Sequence, residues 1–146
     1  MFASVGWSYV IEDPLPPAAV YVTGQHTSLL EGYLSIAFSL CRSDLHPLIL
    51  IAKEYFKGPF NPILHYLNCL PVNRQNPAGL ISAIKIKAQQ HPRYGIAFCP
   101  EGTRARTSGW RKGFYNTAKT LSLPIVFADW DPQSKKLKLC NSKIDN

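Results

Sequence analysis

The stretch from Ala18 to Leu40 constrains the fold more than any other part of the sequence. Residues 18–22 are apolar, with β-branched and aromatic side chains, and Gly24 follows shortly after them. From Ser28 onward the apolar residues recur at helical spacing. The pattern predicts a strand, a turn and a helix in this order, which is the repeating unit of α/β proteins.

Two acid–base side chains, His26 and Glu31, lie where the strand gives way to the helix. On one continuous α-helix, five positions correspond to a rotation of roughly 140°, so the two side chains would point apart. They meet only if His26 belongs to the loop and the helix begins near Ser28. A carboxylate in that position orients the imidazole and stabilises the imidazolium, as a general base requires.

The same residues also fit a purely structural interpretation. Ser28-Leu29-Leu30-Glu31 matches the S-x-x-E capping box, in which the glutamate accepts a hydrogen bond from a backbone N–H at the helix start. Both interpretations begin the helix at Ser28 and leave His26 in the loop. Helix capping and imidazole orientation therefore remain alternative roles for Glu31.

Further strands and helices alternate along the chain. We expect strands at 47–52, 69–74, 95–99 and 124–128, an edge strand at 136–139, and helices at 61–67, 77–90 and 114–121. The alternation predicts one α/β domain, residues 1–146, with a mixed, mostly parallel sheet flanked by helices. Residues 1–17 form a proline-rich lead-in, and 132–146 form a basic tail whose end at Asn146 leaves open whether the natural chain continues.

Composition restricts the partners. A formal net charge of +7 favours anionic partners such as lipid surfaces, phosphorylated metabolites or nucleic acid. The sequence has neither an apolar run long enough to cross a bilayer nor a secretory signal pattern.

The four cysteines form no C-x-x-C pair, which argues against a zinc site or a disulfide framework and for a reducing compartment. We expect them to be small core residues.

A second cluster, Glu101-Gly102-Thr103-Arg104, contains groups that bind phosphate. Gly102 permits close approach of the backbone, Thr103 offers a hydroxyl, and Arg104 presents a planar fork of donors. Glu101 would orient an arginine or accept a hydrogen bond. Additional positive potential would come from Arg74, Arg106, Arg111 and Lys112. The alternative is a solvated basic turn, but His26, Arg74 and Glu101 each follow a predicted strand, where functional loops of α/β sheets gather.

The motifs together resemble the glycerolipid acyltransferase family, typified by lysophosphatidic acid (1-acylglycerol-3-phosphate) acyltransferases and closest to its short bacterial-type members. The resemblance extends from about Glu12 to about Asp131. It is carried by four motifs in order, namely the His-x4-acid pattern of His26 and Glu31, Leu70-Pro71-Val72-Asn73-Arg74, Phe98-Cys99-Pro100-Glu101-Gly102-Thr103-Arg104, and Leu123-Pro124-Ile125-Val126. Trp110-Arg111-Lys112-Gly113-Phe114-Tyr115 also resembles the segment that follows the third motif.

The resemblance implies a phospholipid-biosynthesis activity. His26 would be the general base and Glu31 the orienting acid, while Arg74 and Glu101–Arg104 would bind the phosphate of a lysophospholipid or glycerol-phosphate-like acceptor. Arg106 and Lys112 would be auxiliary. The donor would be acyl-coenzyme A or acyl-carrier protein, with no bound cofactor and no metal.

Three positions depart from the family pattern. Glu31 stands where the family has aspartate, Asn73 where an acidic residue commonly precedes the arginine, and Phe127 where proline often follows the last motif. The change at Glu31 motivates an alternative function, an anionic-lipid binder of the same fold with weakened or no turnover.

Several aromatic residues lie close to basic residues, which suggests two kinds of anionic partner. Aromatic residues close to Lys53, Lys57 and Arg111 predict peripheral contact with an anionic membrane, on its cytoplasmic face; they are Phe56, Phe60, Tyr66 and Trp110. Positive charge near Phe98, Trp110, Phe114 and Tyr115 is also found in single-stranded nucleic-acid modules. Phe114 and Tyr115 are more simply explained as core and helix-face residues, so nucleic acid is the disfavoured partner.

Overall fold

A computed structural model describes residues 6–23, 42–73, 75–100 and 109–142. Within these ranges the strands are β1 (Ser8–Ile11), β2 (Ala18–Thr23), β3 (Pro47–Ala52), β4 (Cys69–Val72), β5 (Tyr94–Phe98), β6 (Ile125–Asp131) and β7 (Lys136–Ser142). The helices are α1 (Asn61–Tyr66), α2 (Pro77–Ala88) and α3 (Gly113–Leu121). Short 3₁₀ turns lie at Ser43–Leu45 and Lys53–Lys57.

The strands form one sheet in the order β1-β7-β6-β2-β5-β3-β4. The five strands from β2 to β6 run parallel to one another. β7 is antiparallel to β6, and β1 runs parallel to β7. The sheet is therefore mixed and mostly parallel, and the predicted single-domain α/β class is confirmed.

Helices α2 and α3 cover the same face of the sheet. The chain moves from β4 through α2 to β5, and from β5 through α3 to β6, and both connections travel in the same direction across the sheet. Right-handed crossovers therefore place both helices on one face. Ile84 of α2 and Ala118 of α3 accordingly pack with Val20, Val22 and Ile96 in one buried cluster.

A second cluster occupies the opposite face of the sheet. It contains Ala19, Val126, Ala128 and the two leucines of β7. Since β2 contributes Ala19 to this face and Val20 to the other, both faces of the strand are buried. This burial explains why residues 18–22 read as one continuous apolar run instead of an alternating pattern.

The expected elements are present wherever the structure describes them, with small differences in their ends. Strand 47–52 has the predicted bounds. The helix predicted at 61–67 is α1. Asn61-Pro62 fits the pattern of an N-cap and a first helical residue, but the N-cap is Phe60. Asn61 is instead the first helical residue, and its buried Oδ1 has no hydrogen-bond partner among the described residues. The predicted helix at Ser28–Leu40 lies outside the described residues.

The outer part of the sheet differs from the sequence expectation. β7 was expected at an edge, and this is wrong because β1, in the predicted lead-in, pairs along its outer side. Leu137 and Leu139 are only 1% exposed, while the alternating residues Lys136 and Lys138 face solvent. The alternation of lysine and leucine therefore marks an inner strand with one buried face.

The cysteines follow the core prediction only in part. Cys69 is buried, and this burial raises the pKa of its thiol to about 11. Cys99, by contrast, is exposed, because it lies one residue beyond the end of β5. Cys140 is half-buried and its thiol donates to Glu12 Oε2 over 2.9 Å. Cys41 lies outside the described residues.

Gly95 provides the clearest packing constraint in the sheet. A Cβ at this position would lie 2.6 Å from Cε2 of Tyr21 on the neighbouring strand, closer than any real contact allows. We predict that Gly95→Ala lowers the free energy of unfolding by about 1–3 kcal/mol, because the Tyr21 ring must shift from its packed position. Urea denaturation would measure the change.

Gly58→Ala is the matched control, since no described atom lies within 4 Å of the Cβ it would add. The penalty at Gly95 should shrink in a Tyr21→Ala background, which removes the ring. An equal loss of stability in both backgrounds would show that the Tyr21 contact is not the cause.

Candidate active site

The candidate site lies at the edge of the sheet where the parallel strands end. β2, β3, β4 and β5 all finish at this edge, because they run in the same direction. Lys112 is described, but the other predicted site residues belong to chain segments that follow these strand ends and lie outside the described residues. They are His26, Glu31, Arg74, Glu101, Gly102, Thr103, Arg104 and Arg106. The structure therefore defines the points from which their segments leave the sheet.

Thr23 joins the starting points of two of these segments. It ends β2, three residues before His26, and its Oγ1 donates to the Phe98 carbonyl oxygen over 3.3 Å. The same Oγ1 lies 3.4 Å from Cys99 Sγ, two residues before Glu101. Thr23 is buried, with 8% of its surface exposed. The chain segments that carry the first and third motifs therefore begin side by side, on adjacent and directly paired strands.

The third-motif loop is also held at its far end. The backbone N–H of Arg111 donates to the Pro100 carbonyl oxygen over 2.8 Å, so the chain returns to its starting point after residues 101–110. Directly after this closure α3 begins, with Lys112 at its N-cap position. The N-terminus of a helix carries partial positive charge, which Lys112 and Arg111 reinforce. Both ends of segment 101–110 therefore lie beside the partially positive N-terminus of α3.

Trp110, the residue before Arg111, packs against two aromatic rings next to this closure. The Trp110 ring lies 5.9 Å from Phe114 of α3 and 6.1 Å from Phe127 of β6, measured between ring centroids. Phe127 packs against the core cluster on the helix-covered face. Phe127, which stands where the family pattern often has proline, therefore provides an aromatic contact for Trp110.

The second motif ends in a turn that is closed on both sides of Arg74. The backbone N–H of Asn76 donates to the Asn73 carbonyl oxygen over 3.0 Å, and the N–H of Gln75 donates to Asn73 Oδ1 over 3.1 Å. Asn73 Oδ1 also accepts from Lys53 Nζ over 3.4 Å. Asn73 thus performs the accepting role that a carboxylate at this position would have.

The Arg74 position is separated from the Thr23 junction by two strands. The order β2-β5-β3-β4 places three strand spacings between β2 and β4, or roughly 14 Å. The first and third motifs are therefore immediate neighbours in the sheet, and the second motif joins the same edge from farther away. An extended arginine covers part of this distance but not all of it.

An apolar groove lies on the face opposite α2 and α3 and reaches the Thr23 junction. Its lining includes Tyr21, Thr23, Gly95 and Trp130. Burial raises the pKa of the Tyr21 phenol. Arg42 also lines the groove and donates two hydrogen bonds to Asp44, at 2.8 and 3.0 Å, which lower the pKa of that carboxyl.

The contact between Thr23 and Cys99 was not predicted from the motifs. Thr23 lies outside the four motifs and ends β2, whereas Cys99 stands inside the third motif and directly follows β5. A polar residue at the close of an apolar run was the available signal. Its partner depends on which strands are adjacent, and this follows from the whole topology.

The described ranges contain neither a metal-binding cluster nor a membrane-spanning helix. There, no set of three or more histidine, cysteine, aspartate or glutamate residues is placed to hold a metal ion. No helix in these ranges is long and apolar enough to cross a membrane.

Comparison with known proteins identifies the family. The family model described as Acyltransferase matches residues 9–127, which include the Thr23 junction and all four motifs. The chain therefore belongs to the acyltransferase family, and transfer of an acyl group is the chemistry of its class. No curated protein and no solved structure matches the chain significantly.

The junction between β2 and β5 can be tested by cross-linking. We predict that Thr23→Cys forms a disulfide with Cys99 under mild oxidation, because the two side chains already lie 3.4 Å apart. Mass spectrometry of proteolytic fragments would detect the joined peptides.

Val22→Cys is the control, because successive side chains of a strand point to opposite faces and Val22 packs on the helix-covered face. Cross-linking of Val22→Cys but not of Thr23→Cys would contradict the register of β2 and β5.

Proposed function

We propose that the protein is an O-acyltransferase that moves a fatty acyl group from a thioester to a hydroxyl of a phosphorylated glycerolipid acceptor, such as lysophosphatidic acid. The donor is acyl-coenzyme A or acyl-carrier protein. The observation that carries this proposal is the Thr23 junction, which starts the His26 segment and the Glu101–Arg104 segment side by side in an acyltransferase-family chain.

The proposed reaction needs one base and one anion-binding loop. His26 takes the proton from the acceptor hydroxyl as the hydroxyl oxygen attacks the thioester carbonyl carbon. The tetrahedral intermediate then collapses, the carbon–sulfur bond breaks, and the leaving thiolate takes the proton from the imidazolium. The products are the new ester and the free thiol, and His26 returns to its neutral form.

Glu31 would act on His26 and not on the substrate. A carboxylate beside the imidazole selects its tautomer and stabilises the imidazolium that forms during attack. Glutamate is one methylene longer than the aspartate of the family pattern, so it holds the ring less rigidly. We therefore expect the rate of acyl transfer to be lower with Glu31 than with an aspartate at this position.

The acceptor phosphate would be bound by Arg74, Gly102, Thr103 and Arg104. Arginine matches two phosphate oxygens at once, and the hydroxyl and backbone N–H groups of the loop supply further donors. The N-terminus of α3, with Lys112, adds positive potential where the loop closes.

A second candidate function is binding of anionic lipid without turnover, favoured specifically by glutamate at position 31. A nucleic-acid module has less support, because Phe98 and Phe114 pack against the core cluster and are not free to stack on bases.

The dyad can be tested by release of free thiol from acyl-coenzyme A with lysophosphatidic acid as acceptor. We predict that His26→Ala lowers the rate about 10²- to 10⁴-fold, because the acceptor hydroxyl loses its base. Glu31→Asp should retain activity and raise the rate, because the shorter acid holds the imidazole more firmly.

His91→Ala is the histidine control, since His91 stacks on His46 at the opposite edge of the sheet, before β5. Equal rates for the parent and His26→Ala would refute the general-base assignment. Vesicle binding without thiol release in the parent and in Glu31→Asp would favour the lipid-binding alternative.

The phosphate site can be tested separately from the base. We predict that Arg104→Ala raises the KM for lysophosphatidic acid about 10- to 100-fold, because a hydrogen bond to a charged group contributes about 1.5–3 kcal/mol. Lys119→Ala, an exposed cation at the other end of α3, should leave this KM unchanged. Initial rates over a range of acceptor concentrations would give both values, and matching KM values for the two variants would exclude Arg104 from the phosphate site.

A further inference from the structure

Large apolar side chains are exposed together on one short segment of the chain. Tyr55 is 62% exposed, Phe60 66%, Ile63 54% and Tyr66 85%. The other exposed large hydrophobic residues of the described ranges are spread over β1, α2 and the start of α3. We call Tyr55, Phe60, Ile63 and Tyr66 the aromatic patch.

The helix that carries most of the patch has its apolar side turned outward. Phe60, Ile63 and Tyr66 follow one another at intervals of three residues, so they lie on one side of α1. A helix packed on a sheet ordinarily turns such a stripe toward the core. Every residue of α1 is instead exposed or half-exposed, with Leu64 on the less exposed side. The stripe therefore faces solvent.

A neighbouring aromatic residue holds this arrangement together. The ring of Phe56, in the preceding 3₁₀ turn, meets His65 of α1 edge-on, with 5.4 Å between ring centroids. Phe56 is half-buried, so it links the turn to the helix and is not itself part of the outward surface. Trp110, which the sequence grouped with these aromatics, lies beside β6 and outside the patch, because β2 and β5 separate β6 from β3.

The charges around the patch are mainly positive. Lys53 and Lys57 lie on the 3₁₀ turn that leads into it, and Glu54 is the one acidic residue in the sequence from 53 to 66. Tyrosine and phenylalanine next to lysine is the combination found where a protein lies on an anionic lipid surface. A second copy of this chain would bring equal positive rims together, so a lipid surface fits the charge better.

The patch begins at the edge of the sheet that carries the candidate site. Lys53 directly follows β3, and its Nζ donates to Asn73, the residue before Arg74. The 3₁₀ turn and α1 both lie against β4, the strand that ends at Val72. A surface held by the patch would therefore lie next to the loop that carries Arg74.

We propose that the aromatic patch is the surface by which this protein lies on an anionic bilayer. Phe60, Ile63 and Tyr66 insert between lipid head groups, and Lys53 and Lys57 contact lipid phosphates. The inference deepens the proposed function and rests on it for one point, that the acceptor delivered to the site is a lipid.

Co-sedimentation with vesicles tests the patch without using activity. Vesicles of phosphatidylcholine mixed with phosphatidylglycerol should pellet the parent, and Phe60→Ser/Tyr66→Ser should reduce the partition coefficient at least about tenfold. The control is Ile86→Ser/Tyr115→Ser, which removes two exposed apolar side chains from α2 and α3. This control should pellet like the parent. Thermal unfolding would confirm that both variants remain folded.

Three results would overturn the proposal. The first is unchanged pelleting of the patch variant, and the second is an equal loss of pelleting in the control. The third is a parent that does not pellet but forms a dimer that the patch variant abolishes, which would assign the patch to a second copy of the chain.

A parallel assay separates this proposal from the acyltransferase function. With a short-chain lysophosphatidic acid below its micelle concentration, the parent and the patch variant should release thiol at equal rates, since no surface is involved. Absence of thiol release in both, with vesicle binding lost only in the patch variant, would reject the proposed function and support the membrane surface. If the parent and the patch variant release thiol at equal rates and also bind vesicles equally, the proposed function is supported and the membrane surface is rejected.

Discussion

The hydrogen bond from Thr23 Oγ1 to the Phe98 carbonyl oxygen connects the fold to the candidate site. β2 pairs with β5 on one side and β6 on the other, and it lies between the two core clusters. Because β2 is held on four sides, the position of its last residue is fixed by the whole domain. The segments that follow Thr23 and Cys99 therefore start from positions that the sheet and both core clusters hold in place.

The charge arrangement at this edge agrees with an anionic acceptor. The closure from Arg111 N–H to the Pro100 carbonyl oxygen brings the N-terminus of α3 back to the start of the third-motif loop. Asn73 organises the turn at Arg74 by accepting hydrogen bonds, and it adds no negative charge where the phosphate is proposed to bind. Two departures from the family pattern, Asn73 and Phe127, thus have local structural roles, while the role of Glu31 is a question for kinetics.

Sequence reasoning predicted the elements whose signals are local. Strand β3 was predicted with its observed bounds, because a strand buried among parallel neighbours is apolar along its whole length. β1 was not predicted, because Tyr9 and Val10 are both exposed and the segment becomes a strand through its pairing with β7, more than a hundred residues away. The same pairing makes β7 an inner strand. Long-range pairing leaves little trace in a local pattern.

The motifs of the candidate site could be predicted from the sequence, but their positions relative to one another could not. The sequence indicated that His26, Arg74 and Glu101 follow strands, and the structure confirms strands directly before each segment. That β2 and β5 are neighbours while β4 lies three spacings from β2 depends on the crossovers, which motif order does not encode. The predicted interfacial set of Phe56, Phe60, Tyr66 and Trp110 is likewise divided by the topology, because Trp110 packs beside β6 whereas Phe56 contacts α1 next to β4.

Acyl transfer from a labelled acyl thioester to two acceptors, lysophosphatidic acid and the monoacylglycerol that lacks its phosphate, tests the central claim most directly. We expect the purified chain to move label into phosphatidic acid at least about tenfold faster than into diacylglycerol, because the phosphate is bound by charged donors. Equal transfer to both acceptors would contradict phosphate recognition. No transfer from either acyl-coenzyme A or acyl-carrier protein would contradict the proposed acyltransferase activity itself.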